Sequence, residues 1–182
     1  MAKVYIFLAD GFEEIEGLTV VDLLRRADIE IRMISITGKE LVTGAHRIQV
    51  MADEVFADGA YLDGDMIVLP GGMPGTNALM NHEGLRELLM NYNKADKFIG
   101  AICAAPSVLG MNGLLKGKKA VCFPGFEDKL LESIPGEGST VVDGKIITSK
   151  GMGTAIDFGL TIIAKLKDQE TADRLGKGIQ YR

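Results

Sequence analysis

The sequence predicts an α/β fold, a mostly parallel sheet covered by helices on both faces, and three observations carry this reading. Short apolar runs alternate with longer amphipathic ones along nearly the whole chain. Several runs, VYIFL and MIVL among them, are continuous rather than alternating, as strands buried on both faces are. The connections are short, which suits strand–helix–strand units.

Taken in order, strands are expected at Val4–Leu8, Ile31–Ile36, Met66–Leu69, Phe98–Ile102, Lys119–Phe123 and Lys145–Thr148. Helical patterns fill the gaps at Glu14–Ala27, Asn81–Lys94, Ala104–Asn112, Gly125–Ser133 and Thr154–Leu166, with a last helix from Gln169 to Lys177. Arg47–Asp53 reads as a weaker, alternating strand. Val141–Ile147 reads as a hairpin turning at Asp143-Gly144. No linker, repeat or low-complexity segment interrupts the series, so residues 1–182 are taken as one domain.

Composition narrows the class. The chain is 47% hydrophobic and 25% charged, the balance of a soluble globular protein. A formal charge of −5 offers no basic footprint for nucleic acid or an anionic membrane surface. Two cysteines make no disulfide framework, so the expected compartment is reducing, the cytoplasm. The opening MAKVYIFLADGFEE lacks the length of a signal peptide, and no apolar run reaches membrane-spanning length.

In open α/β sheets the ligand crevice lies beyond the carboxyl ends of the strands. Three such ends matter: ADGFEEIE, LPGGMPGTN and CAAP. In the last, a strand runs into Cys103 and a helix leaves it, with Ala101 and Ala105 two residues to either side. A nucleophile raised on a strand–turn–helix elbow needs small residues at those places, because the two backbones nearly touch. Pro106 fits the first helical turn. A thiol at a helix start is expected to favour the thiolate, with a pKa of roughly 5–6. The competing reading is a buried packing cysteine. Leu69-Pro70-Gly71-Gly72 allows close backbone approach, and the Gly72 and Ala104 N–H groups together would form an oxyanion hole.

The partner of the thiol is harder to read. His82 sits at a helix start, where a capping role is expected, and His46 lies in the polar turn TGAHR. Glu13 and Glu14 read as first-turn acids favoured by the helix dipole. Glu16 can face inward, since Ile15, Leu18 and Val21 mark the buried side and Gly17 beside it permits close packing. A carboxyl held against a thiolate would have its pKa raised and keep a proton. Cys122, within an apolar run, reads as a packing residue. Thr154 and Asp157 have the spacing of a helix capping box. No grouping has zinc spacing, and neither GLLKGKK nor GMG has the pattern of a phosphate or dinucleotide loop, so no metal and no cofactor is expected.

The set DGFEEIEG, VLPGG, AICAAP, CFPGFEDK and SKGMGTAIDF resembles the ThiJ/PfpI superfamily, and within it the clade of the Parkinson-associated protein deglycase and its bacterial YajL-type relatives. The resemblance implies a flavodoxin-like three-layer α/β/α sandwich related to class I glutamine amidotransferases, and a homodimer. It makes Cys103 the nucleophile, Glu16 its protonated partner, and Gly72 and Ala104 the backbone donors of an anion pocket. Gly71, His46, Phe123 and Pro124 are further pocket candidates. Two departures are informative. PfpI-type peptidases have a histidine directly after the cysteine, where this chain has Ala104, which argues against peptidase activity. Phe123-Pro124 stands where animal relatives have a histidine before the proline.

The activity implied is cofactor-independent glyoxalase or deglycase chemistry on methylglyoxal, glyoxal or their adducts. The alternative is a redox-sensing, stress-protective protein or chaperone that uses oxidation of Cys103.

Overall fold

The computed structural model describes residues 2–181. The chain runs β1 (Lys3–Leu8), α1 (Glu14–Arg26), β2 (Glu30–Ser35), β3 (Leu41–Thr43), β4 (Gln49–Met51), β5 (Glu54–Val55), β6 (Met66–Leu69) and α2 (Gly75–Asn81). It continues through α3 (Glu83–Lys94), β7 (Phe98–Ile102), α4 (Pro106–Met111), β8 (Lys119–Ala120), β9 (Ile134–Pro135), β10 (Thr140–Asp143), β11 (Ile146–Ser149), α5 (Ala155–Leu166) and α6 (Gln169–Gly178). Seven strands form the main sheet in the order β10-β11-β7-β6-β1-β2-β5, all neighbours parallel except the β10–β11 hairpin. Counting only β1, β2, β6, β7 and β11, this is the 2-1-3-4-5 order of flavodoxin-like folds, with the switch point between β1 and β6.

Alternation along each strand explains the continuous apolar runs. Val4, Ile6 and Leu8 of β1 join the layer with α1 and α5, where Val20, Leu24, Phe158 and Ile162 lie. Tyr5 and Phe7 point the other way, among Leu85, Leu89 and Tyr92 of α3. Both faces are therefore dry, and all six positions after Lys3 up to Ala9 are buried. Glycines permit the close approaches: a methyl at Gly159 would meet Leu23 Cδ1 of α1 at 2.6 Å.

Several expected elements differ. Only Lys119–Ala120 of the run Lys119–Phe123 is strand, and it pairs with β9 outside the main sheet. Beyond it the Val121 N–H donates to the Thr148 hydroxyl (3.0 Å) and the Phe123 N–H to the Cys103 carbonyl (2.8 Å), so the ladder cannot continue. The helix expected at Gly125–Ser133 is a single 3₁₀ turn at Glu127–Lys129, because Gly125 at φ 95° breaks the chain just before it. Helix α2 arises directly from the glycine turn, and the pattern at Asn81–Lys94 begins at Glu83, with the His82 ring accepting the Leu85 N–H at 3.1 Å as its cap. Arg47–Asp53 contributes β4, whose partner β3 the pattern did not reveal. The β10–β11 loop is Gly144-Lys145, Asp143 being the last paired residue.

The Thr154–Asp157 box does not form. The Thr154 hydroxyl instead accepts the Gly151 N–H (3.1 Å) and bonds Ser149 Oγ (2.7 Å). On α1, Ile15 is 49% exposed; the buried residues are Glu14, Glu16, Gly17, Val20, Val21, Leu23 and Leu24.

Candidate active site

Register fixes which strand ends meet. Leu69 pairs with Ala101 and Ile102 with Ser149, so the turns after β6, β7 and β11 emerge side by side, with the β1–α1 connection next to them. Cys103 stands at the end of β7 with φ 65°, in the left-handed region that a side chain visits at a cost of about 1–2 kcal/mol. Two backbone bonds hold it there. Its N–H donates to the Ser149 carbonyl at 2.9 Å, and its carbonyl accepts from Phe123 N–H at 2.8 Å. Ala105 is buried where the strand and helix backbones converge, and Ser107 Oγ donates to the Ala104 carbonyl at 2.6 Å. A non-glycine residue held by its surroundings in a sparsely populated conformation is the observation from which function is properly inferred.

Glu16, on the first turn of α1, is 1% exposed and reaches the same point. Its Oε2 accepts the Gly71 N–H at 2.9 Å, and the carboxyl and the Cys103 thiol are hydrogen-bonded to each other. The Ala104 and Gly72 N–H groups both donate to the sulfur. Gly71 leaves the room for this: a Cβ there would lie 2.6 Å from Cys103 Cβ and 2.7 Å from Glu16 Oε2. Gly72, at φ 91°, lies so close to the β1–α1 connection that its Cβ would meet the Glu13 nitrogen at 2.3 Å.

Electrostatics here reverse one expectation. Burial pushes the Glu16 carboxyl up to about 7. Burial first, and the Glu16 charge second, push the Cys103 thiol up to about 12, against the pull of the two backbone donors. The roughly 5–6 expected for a thiol at a helix start is therefore overturned. Helix α4 has only six residues and begins three residues past Cys103, so its dipole is too weak and too far to win. Between these two values the pair keeps a single proton. The higher value of the thiol keeps that proton mainly on sulfur; in the minor form with the proton on Glu16 the charge rests on sulfur, where the two N–H groups stabilise it.

The remaining candidates divide. His46 is exposed and its Nδ1 lies 3.0 Å from Glu14 Oε2 and 3.5 Å from Glu13 Oε2, so it pairs with the first-turn acids rather than the thiol. Glu14, read from sequence only as a first-turn acid favoured by the helix dipole, is 4% exposed and also accepts the His46 N–H at 2.8 Å. Its partners are more than 30 residues away in sequence, which is why local pattern missed it. Glu13, Glu14 and His46 bring ligand-type atoms within 4.8 Å of one another, close enough to hold a divalent ion, though their mutual contacts satisfy them without one. Phe123 is 47% exposed and lies across Gly151, which in turn lies beside Glu16 Oε1. Pro124 follows it at the surface. Cys122 is buried, its thiol pushed up to about 11 by burial. Among the described residues no helix is long and apolar enough to cross a membrane.

Residues 2–165 match the model of the DJ-1/PfpI family. The chain is 38% identical to Protein DJ-1 homolog A of Arabidopsis thaliana over 96% of its own length, and spans 45% of that relative. It is 35% identical to Protein dj-1beta of Drosophila melanogaster, covering 96% of this chain and 94% of that one. A Caenorhabditis elegans relative, 32% identical over 91% of this chain and 88% of its own, is named a glutathione-independent glyoxalase. Among solved structures, oxidized DJ-1 of Toxoplasma gondii superposes with a TM-score of 0.94 at 36% identity, covering 100% of this chain and 99% of that one. Drosophila melanogaster DJ-1beta gives 0.93 at 33% identity, covering 100% and 98%. A strained cysteine against a buried glutamate, on a flavodoxin-like sheet and with relatives of this kind over nearly all its length, places the chain in the DJ-1/PfpI family.

Proposed function

We propose that the protein is a cofactor-independent glyoxalase or deglycase that converts α-oxoaldehydes, or their adducts, through Cys103. The observation that carries this is the Cys103–Glu16 pair, a half-buried thiol held in a left-handed turn against a buried carboxyl whose pKa burial pushes up to about 7. The name of the Caenorhabditis elegans relative supports the reaction class.

In this reading the sulfur adds to the aldehyde carbon of methylglyoxal, and the aldehyde oxygen takes a proton to give a hemithioacetal. Glu16, as the carboxylate, removes the hydrogen on that carbon as a proton, leaving an enediolate with its negative charge on the neighbouring oxygen. It then returns the proton to the neighbouring carbon while the hydroxyl proton passes from the first oxygen to the second, which yields the thioester of a 2-hydroxy acid. Water cleaves the thioester, releasing lactate and the thiol. The dicarbonyl is oxidised at one carbon and reduced at the next, so no external redox partner is needed. Glu16 suits both proton transfers because its pKa lies near the working pH. The Gly72 and Ala104 N–H groups hold the charge on sulfur before attack and after product release.

The test is consumption of methylglyoxal and appearance of lactate by wild type and Cys103→Ser. Turnover abolished by the substitution supports the proposal. Absence of wild-type turnover, together with protection of other proteins that appears only after Cys103 is oxidised, would favour the redox-sensing role instead. The same proposal includes a homodimer, in line with the resemblance in sequence. Ile15 on α1 and Leu41, Ile48 and Met51 on the β3–β4 hairpin are all large, apolar and exposed, and a second copy would cover them.

A further inference from the structure

Three of the largest exposed apolar side chains stand on the turns that make the site. Phe123 is 47% exposed, Met73 44% and Met152 51%. Single exposed apolar residues need no explanation, but these three are tied to the reacting pair by backbone. Met73 follows Gly72, whose N–H donates to the Cys103 sulfur. Met152 follows Gly151, whose Cβ position is 3.9 Å from Glu16 Oε1. Phe123 donates its N–H to the Cys103 carbonyl, and its ring carbon Cδ2 lies 3.2 Å from the Gly151 Cβ position. The ring thus rests on the Gly151 backbone while nearly half of the residue stays open to solvent.

We infer that Phe123, with Met73 and Met152, forms a platform selecting α-oxoaldehydes that carry an aryl or bulky apolar substituent over those carrying a methyl group. The inference rests on the reading above that Cys103 adds to an aldehyde carbon. An aromatic ring fixed beside a nucleophile offers offset or edge stacking to a second ring, and methionine sulfur adds contact at ring edges. A substituent seated there is desolvated in the complex and holds the carbonyl against the sulfur, so the gain appears in kcat/KM. Gly151 is part of the device, because a Cβ at that position would press on the ring at 3.2 Å.

Two measurements test this separately from the overall reaction. The first is kcat/KM for phenylglyoxal and methylglyoxal in wild type, Phe123→Ala and Phe123→Leu. The phenyl-to-methyl ratio should fall about tenfold in Phe123→Ala, with Phe123→Leu between, since about 1.4 kcal/mol of selective binding corresponds to that factor. The second is alkylation of Cys103 by phenacyl bromide and by bromoacetone, followed by mass and normalised to the rates with free cysteine. This needs a reachable thiol and no turnover. A phenyl preference that Phe123→Ala removes establishes the platform even if neither dicarbonyl is turned over, in which case only the glyoxalase reading falls. No phenyl preference in alkylation, or one unchanged in Phe123→Ala, overturns the platform whatever the turnover data show. If Phe123→Ala does not fold, Phe123→Leu and Met152→Ser carry the same comparison.

Discussion

Adding one methyl group at Gly71 would put a carbon 3.0 Å from the Cys103 sulfur and nearer still to the Glu16 carboxylate. Neither neighbour can retreat, one being held by a strained turn and the other buried in α1. Gly71→Ala should therefore fold, destabilised by about 1–3 kcal/mol as overpacked sites are, and lose on the order of 100-fold in kcat/KM through misplacement of the pair. Chemical denaturation alongside kinetics checks both halves; wild-type kcat/KM in a folded variant would mean the pair tolerates displacement. The shared proton gives a second expectation. Alkylation of Cys103 against pH should rise in two steps, near 7 and near 12, because the pair releases its protons there. Glu16→Gln removes one titrating partner and should leave a single step. A two-step profile that survives the substitution would separate Glu16 from the thiol. At this scale the grouping was legible: Cys103, Glu16, Gly71, Gly72 and Ala104 lie in short motifs whose spacing reflects close backbone approach, and the folded chain brings them together. The direction of the thiol pKa was not, because burial and the length of α4 are properties of the folded chain.

The β3–β4 hairpin is fastened to the β1–α1 connection by polar bonds as well as by Val42 and Val50, which pack in the layer that holds Phe12. Gly11 N–H donates to the Thr43 carbonyl at 2.7 Å, Ala45 N–H to the Phe12 carbonyl at 2.8 Å, and Glu14 Oε1 accepts from His46 and Ile48 N–H groups. Burial alone would raise the Glu14 pKa, but the bonds from the His46 side chain and from backbone N–H groups hold it below the usual carboxylate range. The Glu14 bond, with the Glu13 charge beside it, raises His46. The signs then define a window. A depressed carboxylate stabilises the folded hairpin above its unfolded value of 4.5 and loses this as pH falls through its lower folded value. A raised histidine stabilises fully below its unfolded value of 6.5 and loses this as pH rises through its higher folded value. Hydrogen-exchange protection of residues 41–51, corrected for intrinsic rate, should peak between about pH 4.5 and 6.5. His46→Ala should flatten the upper limb and Glu14→Gln the lower; protection independent of pH in wild type would show that neither group fastens the hairpin. Elements of this kind escape sequence reading. The long parallel strands announce themselves as continuous apolar runs and α1, α3 and α5 by helical periodicity, whereas β3, β5 and β9 have two or three residues and are defined by partners distant in the chain.

For the molecule as a whole, the apolar side chains left exposed on α1 and the hairpin are numerous enough to predict association. Light scattering at micromolar concentration should give the mass of two chains, and Ile48→Asp combined with Met51→Asp should halve it, since burying unpaired carboxylates is costly. A wild-type monomer would remove the dimer from the proposal. A combined variant that stays dimeric would move the contact elsewhere. The class of the fold was open to reading from continuous apolar strands alternating with helices. The order of strands was not, since register and crossover are settled only when the two layers on either side of the sheet pack.

The left-handed backbone at Cys103 means that the residue proposed as nucleophile is poorly suited to its own position. In most of the protein glycine is the less stable choice, but at φ 65° the ranking inverts, because a Cβ is what the conformation penalises. Cys103→Gly should therefore exceed Cys103→Ala in stability by about 1 kcal/mol, measured by urea denaturation of two equally inactive proteins. A chain free of demand on this thiol would gain by drifting to glycine there, so stability and reactivity pull this single codon in opposite directions.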